Sequence, residues 1–181
     1  LGDLINDILD LQKIEAGEIS YRFKAIDVKD LIDEAVEANK GFADKMDITL
    51  FADIDGKDGA PVRGDERRLM QVMSNMISNA LKFSHAGGKV TVGFERIGDK
   101  IRIQVSDQGV GIPENSREKV FGKFTQVDST DQRAFGGTGL GMNISKKIIE
   151  QHDGQIDYVS ELGVGTTFFI DLKIWDQARA A

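Results

Sequence analysis

The 181-residue chain has no cysteine and only two histidines. The first absence rules out a disulfide framework and any thiolate metal site, and the second leaves too few imidazoles for a histidine-rich one. No apolar run approaches the roughly 20 residues a transmembrane helix needs, and no signal peptide is visible. Basic residues are the minority, 23 Lys and Arg against 30 Asp and Glu, which gives a net charge of −7. That balance argues against nucleic acid as a partner and against direct contact with an anionic membrane, since both need a basic face. A soluble, cytoplasmic domain is expected. What the chain does have is 40% hydrophobic residues, enough for a real core, and 20 glycines. Its length is large for one domain and small for two, so one core with a short appendage is expected. Because it opens on Leu1 inside a periodic segment, it reads as a piece of something longer.

The most informative stretch is 135–153, FGGTGLGMNISKKIIEQHD, where a glycine cluster runs straight into an amphipathic helix. Gly136, Gly137, Gly139 and Gly141 allow positive φ and close approach, and the first free N–H groups of the following helix point at whatever sits there. Phosphate is the usual guest of such a cradle, and a flexible hinge is the alternative. No Gly-Lys-Ser/Thr follows, so this is not a Walker loop. A long polar loop stands where a Rossmann fingerprint needs a strand.

Taken in order, Leu1, Leu4, Ile8 and Leu11 alternate spacings of three and four, the seam of a bundle helix closed near Gly17. Such a helix needs a mate from elsewhere, or else lies on its own domain. A strand over 19–26, a helix over 28–39, a strand over 48–54 and a polar connection over 56–64 follow. Asp65 stands where it caps the next helix. That helix, 66–83, is apolar over most of its circumference, with Leu69, Met70, Val72, Met73, Met76, Ile77, Ala80 and Leu81. Gln71, Asn75, Asn79 and Lys82 nevertheless form one polar line along it. Asn is a poor helix former, so two of them one turn apart on a buried helix point to ligand or metal oxygens, with plain solvation as the alternative. Carboxamide oxygens suit Mg²⁺, which shares substrate phosphates instead of requiring an all-protein cage.

Two strands, 89–96 and 100–106, pair across a tight turn. The second ends in Asp107-Gln108-Gly109-Val110-Gly111-Ile112-Pro113. The functional reading is a carboxylate accepting from an exocyclic amine, with glycines letting a flat base approach, and the plain reading is an Asx turn. From Glu114 to Gly136 there is no long periodicity. A loop of that length in a compact domain is usually functional or disordered, and Phe121 and Phe124 within it mark a lid that folds back on a surface. A helix over 140–152 and strands over 155–160 and 166–174 complete the chain.

Four blocks in this order, QVMSNMISNALKF, DQGVGI, VFGKFTQ and GGTGLGMNISKKIIE, followed by GVGTTFFI, resemble the ATP-binding domain of sensor histidine kinases. LINDILDLQKIEAGE resembles the second helix of that family's dimerisation and phosphoacceptor domain. The resemblance divides the chain at 1–17 (bundle helix) and 18–177 (ATP-binding domain). It implies an α+β fold, the Bergerat two-layer α/β sandwich, with a mixed sheet of about five strands backed by three helices. It further implies ATP and Mg²⁺ as ligands, a second protomer and a response regulator receiver domain as partners, and a full protein whose missing N-terminal segments can anchor it in the inner membrane.

Residue by residue, the resemblance assigns Asn75 and Asn79 to metal and phosphate, and Lys82 with Phe83 to the basic and aromatic pair after them. Asp107 becomes the adenine carboxylate, with Gly109, Gly111 and Ile112 beside it, and Phe121 and Phe124 become lid aromatics. Gly137, Thr138, Gly139, Leu140 and Gly141 form the phosphate loop, and Thr166 lies near the adenine. Gln126 and Arg133 are lid contacts to Mg²⁺ and the γ-phosphate. Asn75, Asn79 and Lys82 carry the catalytic role. The family's phosphoacceptor histidine sits on a first bundle helix followed by a proline, which has no counterpart here, and neither His85 nor His152 lies in a bundle. A hydrolytic relative of gyrase or MutL carries a Glu where this helix has Asn75, and an amide cannot take a proton from water. A non-catalytic adaptor that kept the fold is the third possibility.

Overall fold

The computed structural model describes residues 2–125 and 138–176. Its frame is a five-stranded sheet built from period-two patterns. In β5 (Lys100–Asp107), Ile101, Ile103, Val105 and Asp107 are buried while Arg102, Gln104 and Ser106 alternate toward solvent. β4 (Lys89–Ile97) presents Val90, Val92 and Phe94 to the same layer, and β7 (Gly165–Lys173) presents Thr166, Phe168, Ile170 and Leu172. One buried face and one solvated face is what such alternation specifies. With β2 (Thr49–Asp53) and β6 (Gln155–Glu161) at the edges, the order is β2-β4-β5-β7-β6. β2 runs parallel to β4 and the other pairs are antiparallel, so the sheet is mixed.

Three helices back it: α2 (Val28–Lys45), α3 (Glu66–Phe83) and, further along the chain, α5 (Gly141–Gln151). The Asp27 carboxylate accepts from the Lys29 and Asp30 N–H groups and starts α2. Asp65 accepts from Arg68 N–H at 3.1 Å and starts α3. α3 is in contact with both α2 and α5. Its Leu69, Val72, Met73, Met76, Ile77 and Leu81 have no exposed surface. A two-stranded sheet of β1 (Lys24–Asp27) and β3 (Pro61–Gly64) closes one end, and Val62 bridges to Ile174.

Several boundaries differ from the sequence reading. The first strand is Lys24–Asp27 and not 19–26; Tyr21 and Phe23 instead lie against His152. The polar connection over 56–64 contains strand β3, whose four residues start at a proline. α2 continues past Asn39 to Lys45. In the stretch after Pro113, α4 (Arg117–Val120) is a single turn, held to the sheet edge by Arg117, which donates to the Asp157 carboxylate (2.6 Å) and the Tyr158 carbonyl (2.8 Å).

α1 (Gly2–Glu15) lies on its own domain, the alternative considered for its apolar seam. Leu11 is 5% exposed, and Leu4, Ile8 and Ile14 pack on the same core. Burying one leucine side chain contributes about 1.5–3 kcal/mol. Ile5 and Leu9 stay about half exposed on the opposite side. Polar ties fix the register: Gln71 donates to Asp10 at 3.0 Å, Arg68 lies 3.5 Å from the same carboxylate, and Glu15 pairs with Lys123 and Lys147.

Candidate nucleotide site

The C-terminal half of α3, the start of α5, the end of β5 and the inner side of α1 surround a cavity of about 880 Å³. That is the size of a pocket for a small organic ligand. Of the residues singled out in the sequence, Asn75, Asn79, Lys82, Phe83, Asp107, Gly111, Ile112, Phe124, Thr138, Gly139, Gly141 and Thr166 line it.

Asp107 sits at one end, 9% exposed. Its Oδ1 accepts from the Gly109 N–H (2.9 Å) and the Thr166 N–H (3.2 Å). Those bonds fix the carboxylate plane and leave Oδ2 for a donor in the cavity. Burial pushes the pKa of Asp107 above the ordinary carboxylate value, and the two backbone N–H bonds oppose that rise only in part. Around it, Ser160 Oγ accepts from the Ile112 N–H at 2.7 Å and lies 2.8 Å from Thr166 Oγ1, so this end of the cavity is preorganised by the end of β6 and the start of β7.

Asn75 lies toward the other end. Its Nδ2 donates to the Gly141 carbonyl (3.2 Å) and to Ser145 Oγ (3.1 Å). With the nitrogen tied to α5, the carboxamide oxygen remains for a ligand, which is the donor type a hard cation or a phosphate-bound water accepts. Asn79 and Lys82 follow one and two turns on. α5 begins without a side-chain cap of its own, after Gly139 in left-handed conformation (φ 73). The Leu140 N–H donates to Thr138 Oγ1 at 3.2 Å. Backbone N–H groups and helix dipole together make this end an anion cradle.

Some residues play other parts than the sequence implied. A Cβ on Gly109 would stand 2.0 Å from the Phe83 carbonyl oxygen, and one on Gly111 would stand 2.3 Å from the Glu161 carbonyl. The close approach these glycines permit is therefore of chain to chain, not only of a base to the chain, and Gly109 itself is not part of the lining. Phe121 is 8% exposed and packs its ring against Tyr158 and Phe168, beneath the cavity wall. Leu140 is fully buried. Gln126, Arg133, Gly136 and Gly137 lie outside the described residues.

Neither histidine lines the cavity. His85 is exposed in the turn after α3. His152 is 1% exposed; its Nε2 accepts from the Asp65 N–H (3.0 Å), and its Nδ1 lies 2.7 Å from the Ile148 carbonyl. It is thus a neutral Nδ1–H tautomer, its pKa lowered by burial in the first place. The sequence reading missed Ser78 and the α1 residues Asp3, Asn6 and Asp7, which also line the cavity. Ser78 shares the face of Asn75, Asn79 and Lys82, a spacing that was there to be read. Nothing local marks the α1 residues, because their role depends on where the helix docks.

A sequence profile described as histidine kinase-, DNA gyrase B-, and HSP90-like ATPase matches residues 64–176. The chain belongs to that family, and what it carries is the ATP-binding catalytic domain found in two-component sensor kinases. Among curated relatives, it is 38% identical over 169 residues to the circadian input-output histidine kinase CikA of Synechococcus elongatus, covering 93% of this chain and 22% of the relative. Among solved structures, full-length ShkA in complex with AMPPNP superposes with a TM-score of 0.84 at 26% identity, over 96% of this chain and 36% of that one. Histidine kinase ThkA in complex with the response regulator protein TrrA gives 0.69 at 28% identity, over 94% and 49%. The chain spans between 20% and 44% of the length of the first curated relatives.

Proposed function

We propose that this chain holds Mg·ATP in the cavity and presents the γ-phosphate to a histidine from another segment, for relay to an aspartate of a response regulator receiver domain. The observation that carries the reading is the polarity of the cavity. A buried carboxylate with one oxygen committed to backbone and one left over stands at one end, and an asparagine pair with a helix N-terminus stands at the other. An adenine amine fits the first and a triphosphate the second. Phosphoryl transfer needs positioning and charge stabilisation more than covalent help from the protein. Asn75, Asn79 and Lys82 supply that.

Mg²⁺ fits the donors present. Among the described residues no group of three or more His, Asp or Glu side chains is arranged to cage a metal. A cation here would be held by amide oxygens of Asn75 and Asn79 and by the phosphates themselves, with Gln126 as a further donor. Bound there, it neutralises charge on the phosphates. Arg133 and Gly137 belong to the phosphate end in the same reading, while Gly109 supports the adenine end through its N–H to Asp107 and Phe121 packs beneath the wall. In the same reading residues 1–17 are part of a dimerisation helix, with Ile5 and Leu9 left half exposed for a second protomer, 18–177 are the catalytic domain, and the assembled kinase is a homodimer. No helix among the described residues is long and apolar enough to cross a membrane, and a cytoplasmic setting, where ATP is available, is proposed. The response regulator in the ThkA complex supports the relay partner.

Asn75 distinguishes this reading from a hydrolytic one. Its amide is a hydrogen-bonded tie to α5 and cannot act as a base. Isothermal titration with ATP plus Mg²⁺ and with GTP, alongside a phosphate-release assay, tests the proposal. ATP is expected to bind, GTP to bind far more weakly, and phosphate release to stay negligible. Absence of heat with ATP would favour the adaptor, and rapid multiple turnover would favour an ATPase.

A further inference from the structure

α1 forms a wall of the cavity, and among the described residues it is joined to the phosphate loop by a hydrogen bond at Thr138. Thr138 Oγ1 donates to Asp7 Oδ2 at 2.7 Å and accepts from the Leu140 N–H at 3.2 Å. The remaining hold of α1 on the domain is separate. It comes from Leu11 in the core with Leu4, Ile8 and Ile14 packed against it, from the Gln71 bond to Asp10, and from the Asp10 and Glu15 ion pairs with α3, α5 and Lys123. Asp7 can therefore let go without the helix leaving.

A hydroxyl has one proton and donates to one acceptor at a time. The loop that carries Thr138 is also the anion cradle at the start of α5, so a phosphate oxygen seated there competes for the proton that Asp7 takes. It also meets like charge. Asp3 and Asp7 face the same cavity, and Lys82 is the one cation among its described lining residues. We propose that Asp7 stands in for a phosphate: the contact of α1 through Asp7 and the engagement of ATP phosphate by Thr138 exclude each other. Asp7 is then a positioning residue that opposes nucleotide, and the placement of the bundle helix is read at the phosphate loop through a single hydroxyl. The inference rests on the cavity being the ATP site.

The test is a double-mutant cycle on the chain with Asp7→Ala and Thr138→Val, titrated with Mg·ATP and, separately, with adenosine. Alanine preserves helix propensity in α1, and circular dichroism melting checks that each variant folds. Asp7→Ala should tighten ATP roughly tenfold, the size expected when a charge-assisted competitor for a donor is removed. It should leave adenosine unchanged, and most of the gain should vanish in the Thr138→Val background. An unchanged or weakened ATP affinity overturns the exchange. A gain that persists in full without the hydroxyl also overturns it, since that is charge repulsion alone. If the unmutated chain binds neither adenosine nor ATP, it is the nucleotide reading that fails, and the two failures are told apart.

Discussion

Replacing Asp107 with Asn separates ligand recognition from folding. The two backbone N–H groups that hold Oδ1 still find an acceptor in a carboxamide oxygen, so the side chain keeps its orientation. What changes is the atom facing the cavity, where an acceptor becomes an NH₂ donor. An adenine amine then meets a donor instead of a charged acceptor, and the bond lost is one to a charged group, about 1.5–3 kcal/mol. A loss of about 2 kcal/mol weakens ATP binding roughly thirtyfold. Stability should not fall with it, because burial penalises the charge of Asp107 and the neutral amide escapes that penalty. The pH dependence gives a second arm. Amine recognition needs the ionised form, and the pKa of the empty site is raised, so ATP affinity should decline as pH falls toward and through that raised value, earlier than for an ordinary carboxylate near about 3.9. Titration calorimetry at several pH values reads the first and third effects, and thermal melting reads the second. Unchanged ATP affinity in Asp107→Asn, or equal affinities of the unmutated chain for ATP and GTP, would refute the adenine assignment.

Three further outcomes are expected. His152 must be neutral to accept from the Asp65 N–H, and its folded pKa is depressed, so the unfolded chain binds the proton more readily. The stability it contributes is complete above about pH 6.5 and falls as pH drops below it, by at most about 1.4 kcal/mol per pH unit; urea unfolding at pH 7.5 and 5.5 shows this, and His152→Gln, an acceptor that does not titrate, should lack that part of the slope. Gly109→Ala drives a Cβ into the Phe83 carbonyl, a backbone atom that cannot swing away; it should destabilise by about 3 kcal/mol or more, and a melting temperature like the parent's would contradict the close approach. Asp65→Ala removes both the α3 cap and the acceptor for the Arg22 N–H at 2.8 Å. It should lower stability by about 1–2 kcal/mol in denaturant titration, and Asp65→Asn should recover only the share of one N–H, because its NH₂ would face the other donor.

How far the sequence reached depended on whether the signal was local. The bounds of α3 follow from Asp65 and an unbroken apolar period, and the structure places them at the same residues. Asp107 was legible because a strand end followed by Gly-x-Gly is a short-range pattern. The reason for its glycines was not, since the atoms that exclude a Cβ belong to Phe83 and Glu161, 26 and 50 residues away in the chain. β3 went unread because four residues beginning at proline and ending at glycine carry too little alternation. The continuation of α2 past Asn39 was hidden by Gly41, which breaks the pattern without breaking the helix. α1 shows the limit most clearly. Its spacing announces that one side is covered, but the same spacing serves a partner helix or the helix's own domain, and with the docking unknown Asp7 had no visible role.

Transfer of label from γ-labelled ATP tests the central claim most directly, with the chain alone and with the same chain joined to a histidine-bearing bundle helix. The chain alone should bind ATP and take up no label, because His85 does not line the cavity and both nitrogens of His152 are engaged in the core. With the added helix, label should appear as an acid-labile, alkali-stable phosphohistidine. Labelling of the chain alone that disappears in His85→Ala or His152→Ala would contradict the account and make one of those side chains the acceptor.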